Sequence, residues 1–449
     1  MVILRFIKKD GNKMAKLIVK NELTGRQIKP LNGVGGGPCA VNFRIDNRKL
    51  FSEANIPYSR LHDIEGALGG GEYADIHNIF PIWELDENDP RSYTFAYTDE
   101  YIKAIVDAGG EPFYRLGETI DHGYFKGWVR PPRDMEKWAR ICANIVRHYN
   151  EGWADGFYYG IKYWEIWNEP ENPPMWTGTK EEYFQLYRIT ANLLKREFPD
   201  IKVGGYASCG FYAVFDPDAT DFYKGFVSYF DDFLEYISAE ETRAPLDFFS
   251  WHIYHSDVSM VLKHAEYVRS VLDAAGYSDT ESILNEWNWA GEDMFNVMRS
   301  IKGAAFAESV MLGLCDPKYG VSLACYYDAQ PQQAYGGLFV RGTGTPTPAY
   351  YAIKAFGRMR QIGNEAVCEA ENMDGLYFTA SRNDGKAAAV MSNYGEKTAY
   401  VELELEGAKR ITVYLLDGAN NLAPICSFPG SSAIVELKTD SIILAEAEI

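Results

Sequence analysis

Eight short apolar runs recur between residues 30 and 357, and segments with helical periodicity separate them. The runs cover residues 33–42, 59–64, 111–116, 163–167, 202–207, 247–254, 282–287 and 321–327. Strands that alternate with helices build parallel sheets, and eight such strands close into a (β/α)8 barrel. The pattern therefore predicts an α/β fold whose main part, residues 31–357, is a TIM barrel.

The remainder of the chain has a different texture. After residue 357, short runs of alternating apolar and polar residues are separated by turns such as Asn383-Asp-Gly385, which is typical of antiparallel strands. We expect residues 358–449 to form an accessory antiparallel β-sandwich. Residues 1–30 contain strand-like runs with no partner in the barrel, so we expect them to join this sandwich.

Composition narrows the class of protein. The 449 residues are 47% hydrophobic and carry a net charge of -19, which disfavours binding to nucleic acid or to anionic membranes. No apolar run is long enough for a membrane span. In the N-terminal run, the apolar residues precede the charged ones, which is not the order of a secretory signal, and Met14 is a possible alternative start. The seven cysteines are scattered and form no Cys-x-x-Cys motif. We expect a cytoplasmic protein, with homo-oligomerisation left open.

Two glutamates stand at the ends of aromatic-rich strands. Glu169 lies in Lys162-Tyr-Trp-Glu-Ile-Trp-Asn-Glu-Pro170, and Glu286 lies in Ser282-Ile-Leu-Asn-Glu-Trp-Asn-Trp289. The C-terminal ends of barrel strands face the mouth, where catalytic groups of this architecture sit. A structural alternative is that each carboxylate pairs with a neighbouring Arg or Lys. Their shared setting favours a catalytic pair, because retaining glycoside hydrolysis needs two opposed carboxylates.

The fourth and seventh predicted strands place these carboxylates on opposite sides of the mouth. We predict that Glu169 is the general acid/base and that Glu286 is the nucleophile. The amide of Asn168 is expected to donate a hydrogen bond to a sugar 2-hydroxyl or to the nucleophile.

Other polar residues end neighbouring strands. Arg60 and His62 end the second strand, and we expect Arg60 to pair with Glu286 and keep it ionised. His252 and Tyr254 share one face of the sixth strand. A hydrogen-bonded core histidine is the alternative for His252, but its spacing from Tyr254 favours a role in the site.

The density of aromatic residues is the second signal of carbohydrate binding. Flat rings stack on the apolar faces of sugars, and several tryptophans follow strand ends. Core packing is the usual role of a single tryptophan. We nevertheless expect Trp287 and Trp128 to reach the substrate.

No cofactor and no metal ion are expected. His252 and His255 lie on opposite faces of a strand, and no third ligand accompanies them. The segment Gly33-Val-Gly-Gly-Gly-Pro38 has a proline where a dinucleotide-binding turn needs its third glycine, which argues against a nicotinamide oxidoreductase.

The combined motifs resemble glycoside hydrolase family 39, the β-xylosidase and α-L-iduronidase family of retaining (β/α)8 enzymes. Four segments carry most of the resemblance: Trp128-Val-Arg-Pro-Pro-Arg-Asp134, Glu165-Ile-Trp-Asn-Glu-Pro170, Ser250-Trp-His-Ile-Tyr254 and Leu284-Asn-Glu-Trp-Asn288. The resemblance implies the same two catalytic roles for Glu169 and Glu286.

Two departures concern the sugar. Xylosidases of the family tend to carry Tyr after the nucleophile, where this chain has Trp287. After their eighth strand they place acidic residues that contact the sugar, whereas this chain has Gln332 and Gln333. The resemblance therefore implies a sugar-binding role for Gln332 and altered recognition of hydroxyl groups. No cluster of basic residues suits a uronate.

The leading hypothesis is a retaining, exo-acting glycosidase for a short β-linked glycoside, similar to a β-xylosidase. One alternative is a barrel that binds carbohydrate without turnover. Another is a relative with a different specificity, such as an α-L-arabinofuranosidase, a β-galactosidase or a β-glucosidase. The sequence does not select the sugar, the linkage or exo over endo action.

Overall fold

The computed structural model describes residues 14–39, 45–64, 73–119, 127–331 and 335–449. Eight parallel strands form a closed barrel in chain order. They are β2 (Gly33–Gly35), β3 (Tyr58–Arg60), β4 (Glu111–Leu116), β5 (Tyr163–Ile166), β6 (Lys202–Ser208), β7 (Phe248–Tyr254), β8 (Glu281–Asn288) and β9 (Val321–Tyr326). This arrangement confirms the predicted TIM barrel.

Helices surround the barrel in the order that the alternating pattern predicts. They are α1 (Arg48–Ala54), α2 (Ile76–Ile79), α3 (Ala96–Asp107), α4 (Met135–Glu151), α5 (Lys180–Glu197), α6 (Asp221–Ser238), α7 (Val258–Ala274), α8 (Met294–Val297), α9 (Ile301–Leu314) and α10 (Pro348–Arg360). Helix α5 begins with a capping box between Thr179 and Glu182, in which each side chain accepts a hydrogen bond from the other residue's backbone. Such a box satisfies backbone donors that a helix start otherwise leaves unpaired.

The remaining strands form one nine-stranded sheet. They are β1 (Ala15–Gln27), β10 (Asn364–Glu371), β11 (Leu376–Arg382), β12 (Lys386–Asn393), β13 (Ala399–Leu405), β14 (Arg410–Leu416), β15 (Asn421–Pro429), β16 (Ser432–Leu437) and β17 (Ser441–Glu448). Their spatial order is β15-β14-β17-β12-β11-β10-β1-β13-β16. Val413 near one edge and Val435 at the other share a single buried core, so the sheet folds over itself as a sandwich.

Strand β1 enters the middle of this sheet. It pairs antiparallel with β10 and parallel with β13. The sandwich is therefore mostly antiparallel, with one parallel pair where the N-terminal strand is inserted.

The interior of the barrel is layered. Its lower end is filled by apolar side chains that include Phe113, Tyr163 and Phe248. Because strand side chains alternate between faces, the inward-facing residues two positions further along are Arg115, Glu165 and Ser250. Both Arg115 and Glu165 are completely buried. An apolar layer thus lies below a layer of buried charged groups, and these lie beneath the mouth of the barrel.

The sandwich is joined to the barrel through α9 and α10. The Ser309 hydroxyl donates to the Ser392 hydroxyl at 2.9 Å. Arg358 of α10 donates two hydrogen bonds to the carboxylate of Glu446 on β17. These contacts attach the sheet to the outer surface of the barrel, away from its inward-facing carboxylates.

Candidate active site

Glu169 and Glu286 approach each other at the C-terminal ends of β5 and β8. A carboxylate oxygen of each residue and a ring nitrogen of His252 all lie within 4.8 Å of one another. Both glutamates are buried, with exposed fractions of 6% and 8%. Two acids in such close contact and with so little solvent influence each other's protonation.

Local irregularities turn both glutamates toward this point. In the pairing of β7 with β8, Trp251 lies opposite Leu284, but His252 lies opposite Glu286. Asn285 is therefore an extra residue, and this β-bulge places Asn285 and Glu286 on the same face instead of alternating them. Beyond β5, Trp167 and Glu169 have positive φ angles of 72° and 46°, which ends regular strand geometry there.

Glu286 is held by a cation and a phenol. Arg60 donates from Nη1 to its Oε2 at 3.0 Å, and the Tyr254 hydroxyl donates to its Oε1 at 2.7 Å. Burial raises the pKa of Glu286, and the charge of Glu169 raises it further, while His252, Arg60 and Tyr254 oppose this rise. The sequence predicts that Arg60 keeps Glu286 ionised. Burial outweighs the cation, so the pKa of Glu286 lies above its ordinary value instead of below it.

Arg60 links three groups of the site. It donates from Nε to Glu165 at 2.8 Å and from Nη2 to the side-chain oxygen of Asn168 at 2.6 Å. The amide of Asn168 thus binds Arg60, and among the described residues its buried nitrogen Nδ2 has no hydrogen-bond partner. That nitrogen is a donor available to a bound molecule.

Glu169 is surrounded by weaker partners. His252 Nδ1 lies 2.7 Å from its Oε1, and the Asn172 amide donates to its Oε2 at 2.9 Å. Burial raises the pKa of Glu169, against the hydrogen bond from Asn172, the charge of Arg60 and the thiol of Cys209. Burial lowers the pKa of His252 to about 4. The histidine is therefore neutral near pH 7. Glu169 thus has no permanent cation in direct contact that would disfavour its protonated form.

A third carboxyl group lies behind Glu169. Glu171 accepts hydrogen bonds from the Ser208 hydroxyl at 2.9 Å and from the Cys209 backbone at 2.7 Å. Burial and the charge of Glu169 raise the pKa of Glu171 to about 8. Glu171 therefore fixes the backbone of Cys209, whose thiol contacts Glu169.

Several predicted residues converge on this pair, and others do not. Arg60, Asn168, His252 and Tyr254 lie within the network. His62 follows the end of β3 and is buried. Its Nε2 atom lies 3.5 Å from Oδ1 of Asp63. Gln332 falls outside the described residues.

The expectation for Trp287 is corrected by its position. Its side chain is completely buried, and its ring packs against Phe306 of α9 and Tyr326 of β9. The bulge at Asn285 explains this, because it turns Glu286 inward and Trp287 outward. Trp287 is a core residue between the barrel wall and the helices.

Trp128 lies elsewhere at the mouth. Its ring is 51% exposed and stacks on His77 with a centroid distance of 4.1 Å. It lines a cavity of about 360 Å³ that also borders Trp167 and Glu118. Trp128 is therefore next to the catalytic strand ends without contacting either carboxylate among the described contacts.

Sequence reasoning missed Glu165, Asn172, Glu171 and Cys209. A buried arginine needs counter-charges. A glutamate within an apolar strand, such as Glu165 two residues before Trp167, therefore indicates a partner for such an arginine. Asn172 lies three residues after Glu169, within reach of a turn. Cys209 directly follows β6, and no sequence pattern around it indicates a role in the site.

Within the residues that the structure describes, two groups have the donor atoms of a metal site. Besides Glu169, His252 and Glu286, the atoms of Asp75, His77 and Glu118 lie within 4.8 Å of one another. In the first group Arg60 already balances charge. In the second, Asp75 is engaged by Arg115 and by the Thr119 backbone. Both arrangements fit hydrogen-bonded networks better than cation sites.

The part of the chain that the structure describes contains no helix long and apolar enough to cross a membrane.

Comparison with known proteins agrees with this geometry. Residues 19–390 match the model of glycosyl hydrolases family 39. A β-xylosidase of Geobacillus stearothermophilus is 26% identical over 389 residues, which cover 78% of this chain and 70% of that protein.

Solved structures share the fold. A glucosidase from Croceicoccus marinus superposes with a TM-score of 0.78 at 22% identity, covering 98% of this chain and all of that one. A monomeric β-xylosidase from Caulobacter crescentus gives 0.71 at 17% identity, covering 96% and 99%. With the family model matched over most of its length, the chain belongs to glycosyl hydrolases family 39 and is a glycosidase.

Proposed function

We propose that this protein is a retaining, exo-acting glycosidase that removes one sugar from short β-linked glycosides by double displacement. The observation that carries the proposal is the close approach of Glu169 and Glu286, with oxygen atoms within 4.8 Å. Retaining enzymes hold their carboxyl groups roughly 5–5.5 Å apart, whereas inverting enzymes leave about 6.5–9.5 Å for a water molecule. The short gap supports retention.

The different partners of the two acids support their roles. Glu286 is bound by the Arg60 cation and the Tyr254 hydroxyl, which favour a carboxylate able to attack the anomeric carbon. Glu169, which lacks a direct cation, protonates the departing oxygen as the bond from Glu286 forms. In the second step the carboxylate of Glu169 takes a proton from water, which displaces Glu286 with overall retention. The free Nδ2 of Asn168 is suited to bind the sugar 2-hydroxyl.

The names of the related proteins suggest which sugar to test first. Matched proteins named β-xylosidase come from Geobacillus stearothermophilus and Caldicellulosiruptor saccharolyticus, so β-xylosides are the first substrates to try. Free thiols at Cys142, Cys209 and Cys315, among others, fit a reducing cytoplasm, which we propose as the location.

A panel of nitrophenyl glycosides followed by proton NMR of the first product tests the function. Wild type should release the sugar with its original anomeric configuration. E286Q should abolish turnover, and E169A should keep activity on activated substrates and gain rate with azide. E308Q, a buried carboxyl outside the site, is the matched control and should keep wild-type rates. An inverted first product, or an active E286Q, contradicts the mechanism.

A further inference from the structure

Glu171 takes no part in the two chemical steps above, although it lies in the turn that carries the acid. One of its carboxyl oxygens, Oε1, accepts hydrogen bonds from the Ser208 hydroxyl at 2.9 Å and from the Cys209 backbone N–H at 2.7 Å. We propose that Glu171 is a positioning residue for the acid, because it holds Cys209 in place with its thiol against Glu169. The proposal rests on the proposed function and concerns the control of its proton donor.

The turn after β5 and the end of β6 are joined in both directions. The Glu169 backbone N–H donates to the carbonyl oxygens of Tyr206 and Ala207, at 3.2 and 3.1 Å. The carboxyl group of Glu171 accepts in return from the two residues that follow Ala207. Ala207 has a positive φ of 57°, a conformation that a residue other than glycine keeps only where its surroundings hold it. The contacts of Glu171 therefore support a strained part of the chain directly beside the acid.

Two side chains connect the end of β6 to the carboxyl group of Glu169. The Asn172 amide donates to its Oε2 at 2.9 Å, and the same amide nitrogen lies 3.4 Å from Cys209 Sγ. Burial raises the pKa of Glu169. The Asn172 amide, the charge of Arg60 and the Cys209 thiol oppose this rise. Displacement of the Cys209 backbone would therefore weaken the thiol contact and disturb the amide beside it.

The Glu171 carboxyl acts here as an acceptor and not as a charge. Burial and the charge of Glu169 raise its pKa to about 8, so it is mostly neutral below pH 7. Its second oxygen, Oε2, is buried and has no hydrogen-bond partner among the described residues. A glutamine at this position presents an amide oxygen in place of Oε1 and can keep both hydrogen bonds. Alanine leaves the Cys209 N–H without this acceptor.

The pKa of Glu169 tests the proposal, measured between pH 4 and pH 7 by carbon-13 NMR on protein with labelled glutamate carboxyl groups. The signal of Glu169 is assigned by its absence in E169Q. Groups from the neighbouring strand ends that interact with Glu169 are the same in every variant below, and they are Arg60, Tyr212, His252, Tyr254 and Glu286. Differences between the variants therefore report the contact of Glu171 with the end of β6.

E171A should raise the pKa of Glu169 by about half a pH unit, because the weak hydrogen bond from the thiol is lost. C209A should give the same shift, and E171A/C209A should shift no further than C209A alone, because both changes remove one contact. E171Q should keep the wild-type value. E181A, which removes an exposed carboxyl in the first turn of α5, is the control and should also keep it. E171D withdraws the carboxyl by one methylene, covers the case in which E171A does not fold, and should shift the pKa in the same direction.

The titration separates this proposal from the proposed function, because it needs no turnover. An unmoved pKa of Glu169 in E171A, shifts that add in E171A/C209A, or a shift in E171Q as large as in E171A overturn the positioning role. Expected pKa values in a protein that hydrolyses none of the nitrophenyl glycosides refute the activity alone. In the active enzyme, the alkaline limb of kcat/KM should move with the pKa of Glu169.

Discussion

Replacement of Arg60 by Met should shift the pH dependence of catalysis more than any other change near the site. Arg60 is completely buried and binds the carboxylates of Glu165 and Glu286 and the oxygen of Asn168. Methionine fills similar space without charge. The substitution leaves two buried carboxylates without their cation, and such a broken pair costs roughly 3–5 kcal/mol of stability.

The effect on Glu286 follows from Coulomb's law. A unit charge about 4 Å away contributes about 4 kcal/mol at an effective dielectric constant near 20, equivalent to at most about three pKa units. Rearrangement of neighbouring dipoles reduces this value. Glu286 must be ionised to attack, so its pKa sets the acid limb of the kcat/KM profile. We expect this limb in R60M to move up by about one to two pH units. The sign follows because Arg60 lowers the pKa of Glu286 and its removal lets that pKa rise.

Stability should change with pH in the same variant. A carboxyl whose pKa is raised in the folded state holds more protons there than in the unfolded chain. The free energy of unfolding of R60M should therefore fall, relative to wild type, as the pH rises above the ordinary carboxyl range. Urea unfolding at pH 5 and pH 8 measures this difference.

The matched control is R115M. Arg115 is also completely buried and pairs with Asp75 on the neighbouring side of the mouth, but it contacts neither catalytic carboxylate. It should lose comparable stability and keep the acid limb in place. R60K, which retains the charge, covers the case in which R60M does not fold, and its limb should move less than one pH unit. An unmoved limb in folded R60M, or an equal shift in R115M, refutes the electrostatic argument.

Three further changes test individual contacts. Y254F removes the hydroxyl that donates a hydrogen bond to Glu286, so kcat/KM should fall about 10- to 100-fold, as expected for loss of a hydrogen bond to a charged group. Full activity of Y254F contradicts a role of this hydrogen bond in catalysis. Glu169 must be protonated to act as the acid, so its pKa sets the alkaline limb of the kcat/KM profile. C209A removes a thiol that lowers the pKa of Glu169, so this limb should move to higher pH, whereas a downward shift would contradict Glu169 as the acid. Burial raises the pKa of Glu308, and neither of its oxygens has a partner among the described residues. The free energy of unfolding of E308Q should therefore exceed that of wild type by about 1–3 kcal/mol at pH 8. In wild type, the raised pKa of Glu308 makes the free energy of unfolding fall by up to about 1.4 kcal/mol for each pH unit, and E308Q should lack this fall. A pH dependence as steep in E308Q as in wild type contradicts the prediction.

The barrel could be predicted because buried parallel strands are continuous apolar runs with abrupt ends. The run at residues 111–116 coincides with β4, and the predicted strand at 202–207 differs from β6 by one residue. In the sandwich, the alternating pattern after residue 357 does not indicate β10 or β15 as strands. Strand β10 is a glutamate- and alanine-rich segment. Strand β15 contains Pro424 and lies at the edge of the sheet, where no second neighbouring strand needs the N–H that proline lacks. Pattern is weakest where one face of a strand stays exposed.

The partners of Glu286 could be predicted in part from convergence alone. All barrel strands end at the same mouth, so the sequence predicts Arg60 beside Glu286 and Tyr254 in the same site. The balance of effects was not readable, because burial depends on the complete packing around the carboxylates. That packing raises the pKa of Glu286 despite its cation.

The orientation of the nucleophile is the feature that period-two reasoning could not supply. Strict alternation from Ile283, which lies in the barrel interior, would point Asn285 inward and Glu286 outward. The extra residue in β8 reverses that order after Asn285, which keeps Asn285 on Glu165 and also delivers Glu286 to Arg60. Two consecutive polar side chains thus share the interior. The same reversal sends Trp287 into the apolar layer outside the barrel, so the site and the packing that supports it depend on one inserted position.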